Sequence, residues 1–481
     1  MSGARNLVSL PILAAIGTGL IWWILGFTLD ADIFGFTGGF LALALLPYVA
    51  RPLNYRTDVF QPYLGTAVLL YLYSLSTLLF VRETGLTYYA ESVASADLQT
   101  YRWACLLAVA GLALGTTLAS TAAMRLRRPQ RSQNRQQRAQ TNAWLQAAAV
   151  LGVVALPIIG EKFAPWSATN YAEIALSLRI NRLADQSAGL QEVFLEAVPT
   201  TWVLCAATVV IFDRHRAPYL RLLAGLLLMA YITTTLLSGW RGQLMVALLL
   251  VVIYFHYRVR SIRLLEVALG GLSIYLLINV LSVARASANP VEMLQFLMSE
   301  IGDRGFEFLA LQQSGELATS TNLLRLIEGI RSGEAHFGWG AIGLGQLAAF
   351  VPRTILPDRP EIASEMFVKI FYPGIFESGG GYGFFMPQDG YWDFGLAGVF
   401  VYCAVFAFLI ERGYRWLRQR FEVDLFVFLY ALLYSQLVLS VIRSGLFASL
   451  KAGLIAALPV LLLLGWFSLR RRRLAPPPQT V

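Results

Sequence analysis

Three arginines stand where apolar runs of the chain end: Arg241 within Ser238-Gly239-Trp240-Arg241-Gly242, Arg285 and Arg443. A guanidinium keeps its charge and pairs bidentately with phosphate, so three of them at the rim of a hydrocarbon layer suit a pyrophosphate group. Taken singly, each is equally a snorkelling anchor or an ion-pair partner. The same stretch of sequence supplies groups able to take a proton from an attacking hydroxyl: Asp389, Glu377 and His336, with Glu365 and Asp393 as further carboxylates. Around them lie aromatic rings and an amide. Trp339, Tyr391, Trp392 and Gln388 suit a glycan, whose faces stack on rings while its hydroxyls need polar partners. The alternative for the rings is an aromatic belt at a membrane interface.

The elements that carry these residues cannot form a water-soluble globule. Of 481 residues, 57% are hydrophobic and 14% are charged, against an ordinary charged share of about 25%. The three cysteines, Cys105, Cys205 and Cys403, fall inside apolar runs, which points to packing rather than to disulfides or thiolate metal sites. No phosphate-binding Walker loop, HExxH, GxSxG or dinucleotide fingerprint occurs in a credible setting. Neither a metal nor a cofactor is expected, and neither ATP nor a sugar nucleotide as energy source. The net charge of +9 sits mostly in arginine-rich connections between apolar runs, which fits a membrane surface rather than nucleic acid.

A helix needs roughly 20 apolar residues to cross a bilayer, and twelve segments qualify: 7–29, 33–50, 62–81, 103–123, 142–160, 193–212, 219–238, 242–257, 264–284, 392–411, 424–442 and 452–469. The first is too long for a cleaved signal peptide. Basic residues concentrate in the even-numbered connections: Arg51 and Arg56, the run Arg125 to Arg138, Arg214 to Arg221, Arg258 to Arg263 and Arg412 to Arg420, with Arg470 to Arg473 closing the chain. By the positive-inside tendency those connections and both termini are cytoplasmic. The chain then divides into nine spans over 1–284, a large outer loop over 285–391, three spans over 392–469 and a cytoplasmic tail over 470–481. A carrier built from two matching halves would instead place its longest connection centrally and inside.

Within the large loop, Asn289-Pro290 reads as a helix start, and Thr321 to Ile330 as a second amphipathic helix closed near Gly333. Glycines and prolines from Gly338 to Gly381 break any longer element. His215 and His256 fall on the cytoplasmic side and are set aside.

The whole then resembles the O-antigen and exopolysaccharide repeat-unit polymerases (Wzy type), which are related to the O-antigen ligases. Ser238-Gly239-Trp240-Arg241-Gly242 is similar to that family's S-G-x-R-G turn between two spans. One large outer loop precedes the last three spans. Pro387 to Gly398 resembles the family's entry into the next span, P-H-N-x-Y followed by an acidic residue and a glycine pair. Where ligases keep a histidine after the proline, this chain has Gln388, which favours polymerase over ligase. The resemblance implies an all-α, C-type glycosyltransferase fold of about twelve spans in the cytoplasmic (inner) membrane. It implies metal-independent joining of undecaprenyl-pyrophosphate-linked oligosaccharides, donor and acceptor alike. Membrane lipids, and with them a chain-length regulator and a flippase, are the partners it implies. A ligase, or a flippase or exporter of lipid-linked sugar, is the rival reading.

Overall fold

The computed structural model describes residues 32–49, 58–87, 92–121, 198–213, 215–237, 241–284, 317–348, 361–377 and 381–474, with a few single residues between 295 and 360. Spans 7–29 and 142–160, the runs 125–138 and 161–192, Arg285 and the Asn289-Pro290 helix start lie outside the described residues. The side chain of Arg241 does too.

The described residues are helical throughout, without a named strand. In chain order the first helices are α1 (Asp32–Val49), α2 (Pro62–Thr84), α3 (Ser95–Thr121), α4 (Val198–Phe212), α5 (Pro218–Leu237), α6 (Arg241–Arg258) and α7 (Leu264–Ala284). Short helices follow: α8 (Thr321–Ser332), α9 (Ala341–Ala348), α10 (Ala363–Phe371) and α11 (Pro373–Glu377). The last group is α12 (Pro387–Arg418), α13 (Asp424–Tyr434), a π-helical stretch Ser435–Ser440, α14 (Val441–Ser444) and α15 (Leu446–Leu474). Among the described residues, five helical runs are long and apolar enough to cross a membrane: α2, α3, α12, the run Asp424–Ser444 and α15. The described part of the chain is thus all-α, with helices suited to a membrane protein.

The expected helix from Thr321 is α8, closed by Gly333 at φ 84, the left-handed conformation glycine tolerates. Three more short helices, α9 to α11, occupy the stretch whose glycines and prolines limit helix length. Span 392–411 is extended at its start: α12 begins at Pro387, which needs no partner for its missing N–H at a first turn.

Two apolar cores share the bundle. One joins α1, α2, α3 and the short helices to the first half of α12. The other joins α4, α5 and α6 to α13, α15 and the far end of α12. The tightest seam lies between α3 and α12. Ala104, Ala108, Gly111 and Gly115 form one stripe of α3, and a Cβ at Gly111 or Gly115 would stand 2.4 Å from Phe400 O or 2.0 Å from Ala404 O. Without a hydrophobic drive between helices in lipid, such backbone approach is what van der Waals association requires.

At one end of the bundle a buried carboxylate ties three segments together: the turn ahead of α2, α6 and α12. Asp58, ahead of α2, accepts from Phe60 N at 3.1 Å, Tyr257 OH at 2.8 Å and Tyr414 OH at 2.6 Å, with His256 Nε2 3.3 Å away. His256 Nδ1 accepts from Ile262 N, which leaves the Nε2–H tautomer to face Asp58. Burial pushes the Asp58 carboxyl up, but the hydrogen bonds of His256, Tyr414 and Tyr257 and the charge of Arg418 outweigh it and hold it at about 2. Beside it, Gln61 and Arg415 both hold Glu411, and Arg258 Nε lies 2.7 Å from Asp424. His256, discounted from sequence as a cytoplasmic bystander, is therefore part of the bundle's internal framework.

Two outcomes follow from this packing. Gly115→Ala should lower the thermal unfolding midpoint in detergent by the equivalent of about 1–3 kcal/mol or more, while Gly225→Ala, with open space around it, leaves the midpoint unchanged or slightly higher. The Asp58 carboxylate, held below its ordinary value, stabilises the fold above the unfolded-state pKa and loses that contribution as pH falls towards about 2. The stability gap between the unmutated protein and Asp58→Asn, about 2 kcal/mol near neutrality, should therefore close on acidification from pH 5; a gap independent of pH would exclude this account.

Candidate functional site

The segment from Pro387 is a short helix folded back on a long one. Phe394 (φ −137, ψ 22) and Gly395 (φ 62, ψ −146) leave helical geometry, a combination open to glycine at the second position. The fold-back is so close that a Cβ on Gly390 would stand 2.4 Å from Gly398 O, and one on Gly398 would stand 2.1 Å from Gly390 O.

One turn apart on the short helix, Asp389 and Asp393 share a face. Asp393 takes four donors: Gly340 N at 3.0 Å, Ile342 N at 3.1 Å, Gly343 N at 2.9 Å and Tyr402 OH at 2.6 Å. Asp389 takes Gln346 Nε2 at 2.5 Å through one oxygen and Leu446 N at 2.5 Å through the other. The amides belong to the starts of α9 and α15, where N–H groups lack intrahelical partners and the helix dipole favours an anion. Gly445 (φ 80) lets the chain pass Asp389, since a Cβ there would stand 2.6 Å from the carboxylate.

Gln388 is equally committed. Its Oε1 accepts from Phe385 N, its Nε2 donates to Asn322 O at 3.2 Å, and Asn322 in turn donates to Gly383 O at 2.6 Å. The strand-like stretch after Gly383 then runs against the end of α14, with Phe384 N donating to Arg443 O at 2.6 Å and Met386 N to Ile442 O at 3.2 Å. This fixes the backbone of Arg443, whose side chain is exposed at the same end of the bundle.

The structure therefore sorts the residues named from sequence. Asp389 is 0% exposed and holds helix ends, so in this conformation it presents no oxygen to a hydroxyl from solvent. Gln388, Trp392 and Tyr391 are buried as well: Trp392 packs on Phe367 and Phe384, and Tyr391 on Phe337. In this structure all three sit in the core and present no open face to a glycan. Trp339 is the exception, 75% exposed and held at φ 49, the one non-glycine residue with positive φ among those described. Its loop is pinned by Gly338 N to Trp392 O and by its own N–H to Asp393 O. His336 and Glu377 are exposed, Glu377 at the end of α11. Arg241 starts α6.

Sequence reading missed Gln346, Tyr402 and Asn322. A glutamine in the otherwise apolar α9 is a signal in hindsight; nothing local marks the other two. Among the described residues no cluster of three metal-ligating side chains comes together.

No family model matches this chain, and no curated protein or solved structure gives a match.

The geometry sets an expected outcome. Asp393→Ala leaves three amides and a phenol without their acceptor, and a lost hydrogen bond to a charged group costs about 1.5–3 kcal/mol. Limited proteolysis should then cut the 338–343 loop faster than in the unmutated protein, with cleavage elsewhere unchanged. Equal rates at that loop would show that the carboxylate does not hold it.

Proposed function

We propose that this chain polymerises undecaprenyl-pyrophosphate-linked oligosaccharide repeat units at the outer face of the cytoplasmic membrane. The observation that carries the reading is the exposed Arg443 on a backbone locked by Phe384, at the bundle end roofed by the short helices. The resemblance of the Arg241 turn and of the Pro387 segment to repeat-unit polymerases supports it. So does Gln388, which replaces the ligase histidine and is bonded at both ends of its amide.

In this reaction a hydroxyl of the incoming unit's terminal sugar attacks the reducing-end carbon of the growing glycan. The glycosyl–phosphate bond breaks, the lipid pyrophosphate leaves with the bonding pair, and the hydroxyl proton passes to a base. Arg443, with Arg241 and Arg285, stabilises the charge that develops on the leaving pyrophosphate, an electrostatic role that forked donors fill well. Of the candidate bases, His336 and Glu377 are the exposed ones; Asp389 acts as a positioning residue through Gln346 and Leu446. Trp339 offers a ring face to the glycan. Both termini face the cytoplasm in this reading, and a chain-length regulator and a flippase work beside the protein.

Purified protein supplied with synthetic lipid-linked repeat units and no ATP should build a ladder on the lipid. Arg443→Ala and Arg241→Ala should each slow lengthening roughly 10²–10³-fold, the usual effect of removing one preorganised donor. Arg443→Lys should recover little, because a point charge lacks the fork. Transfer to a different acceptor would make the protein a ligase, translocation without bond formation a transporter, and an unimpaired ladder from Arg443→Ala would remove that arginine from the mechanism.

A further inference from the structure

Helix α9 inverts the pattern of a water-facing surface helix. Its inward positions are Gly343 and Gln346, the latter bonded to Asp389. Its outward positions, Ala341, Leu344 and Leu347, recur at three-residue spacing, with Leu344 69% and Leu347 52% exposed. No charged residue occurs between Ala341 and Ala348. A leucine side chain left in water forgoes its favourable transfer into an apolar medium. Two adjacent exposed leucines over a buried glutamine therefore fit an apolar surrounding medium.

The position of that medium is marked on α12. Beyond the break, its outward residues Ala397, Val401, Val405 and Leu409 recur every four positions, and Trp416 ends the stripe with the Arg420 guanidinium 4.1 Å above its ring. From Ala397 to Trp416 the helix rises roughly 29 Å at 1.5 Å per residue, which matches a hydrocarbon core of about 30 Å. The other boundary then falls at Phe394. That ring is exposed and lies 6.3 Å from the ring of Trp339, which leads directly into α9. The apolar face of α9 thus continues the lipid-facing stripe of a membrane-spanning helix, and a tryptophan marks each end as in an interfacial belt.

We propose that α9 lies in the bilayer interface at the end of the bundle opposite Arg415 and Arg418, with Trp339 at headgroup depth and Leu344 and Leu347 among phospholipid acyl chains. The assignment holds whatever glycan chemistry the protein performs.

The test uses the full chain in phosphatidylcholine vesicles, carrying Leu344→Cys or, separately, Leu347→Cys labelled with bimane. The native Cys105, Cys205 and Cys403 are buried, and the unmutated protein reports any background labelling. Val405→Cys serves as the lipid-facing reference and Glu365→Cys, on an exposed position of α10, as the aqueous one. Blue-shifted emission is expected at both α9 positions. Phosphatidylcholine bearing a doxyl group near the top of its acyl chain should remove most of that emission, as at Val405→Cys, and iodide should remove little. Quenching by iodide without doxyl quenching, as at Glu365→Cys, overturns the proposal. Protection from both quenchers at both positions also overturns it, because a second copy of the chain or another protein would then cover the face.

Discussion

The start of a helix carries N–H groups with nowhere to go inside the helix, and where that start is buried water cannot take their place. Here two carboxylates one turn apart meet that need for two different helices at once. Asp393 seats the start of α9 and Asp389 the start of α15, and Gln346 links the first helix back to the second carboxylate. The sharp fold-back at Phe394–Gly395 exists to deliver both acids to the same place, and Gly390 and Gly398 exist to permit the fold-back. Without the acids, the Trp339 loop and the Gly445 turn beside Arg443 would keep only their backbone hydrogen bonds.

The opposite end of the bundle solves a related problem with the same residue type. Asp58 there gathers a tyrosine and a histidine of α6, a tyrosine of α12 and an amide of its own turn, with Glu411 and Asp424 each taking an arginine nearby. Arginines that sequence alone assigns to topology, such as Arg258 and Arg415, thus also close the polar ends of packed helices. The two uses are compatible, since a guanidinium can satisfy an internal carboxylate and still reach the surface along its stem.

Among the described residues several helices were legible because composition over a fixed length marks them, while of the expected twelve spans five stand there as helices long and apolar enough to cross. The segments at 33–50, 62–81 and 264–284 coincide closely with α1, α2 and α7, and Gly333 announced the end of α8. The site was legible only by residue type. Asp389 is a candidate base and Gln388 a candidate glycan contact by sequence, but a buried carboxylate accepting two donors and a catalytic one awaiting substrate look alike in a linear string. Trp392, Tyr391 and Trp339 were equivalent by letter, and only the fold separates two core rings from one exposed ring. Tyr402 and Asn322 could not be found at all, because their partners Asp393 and Gly383 become neighbours only through tertiary structure.

The seam between α3 and α12 is made of main chain against main chain at Gly111 and Gly115. Such a joint has no rotamers to exchange and hence no second arrangement to snap into, unlike interfaces whose bistability comes from side chains. The pair is bound to travel as a stator. Any yielding of the bundle then falls to seams that meet through side chains, such as those of α4 to α6.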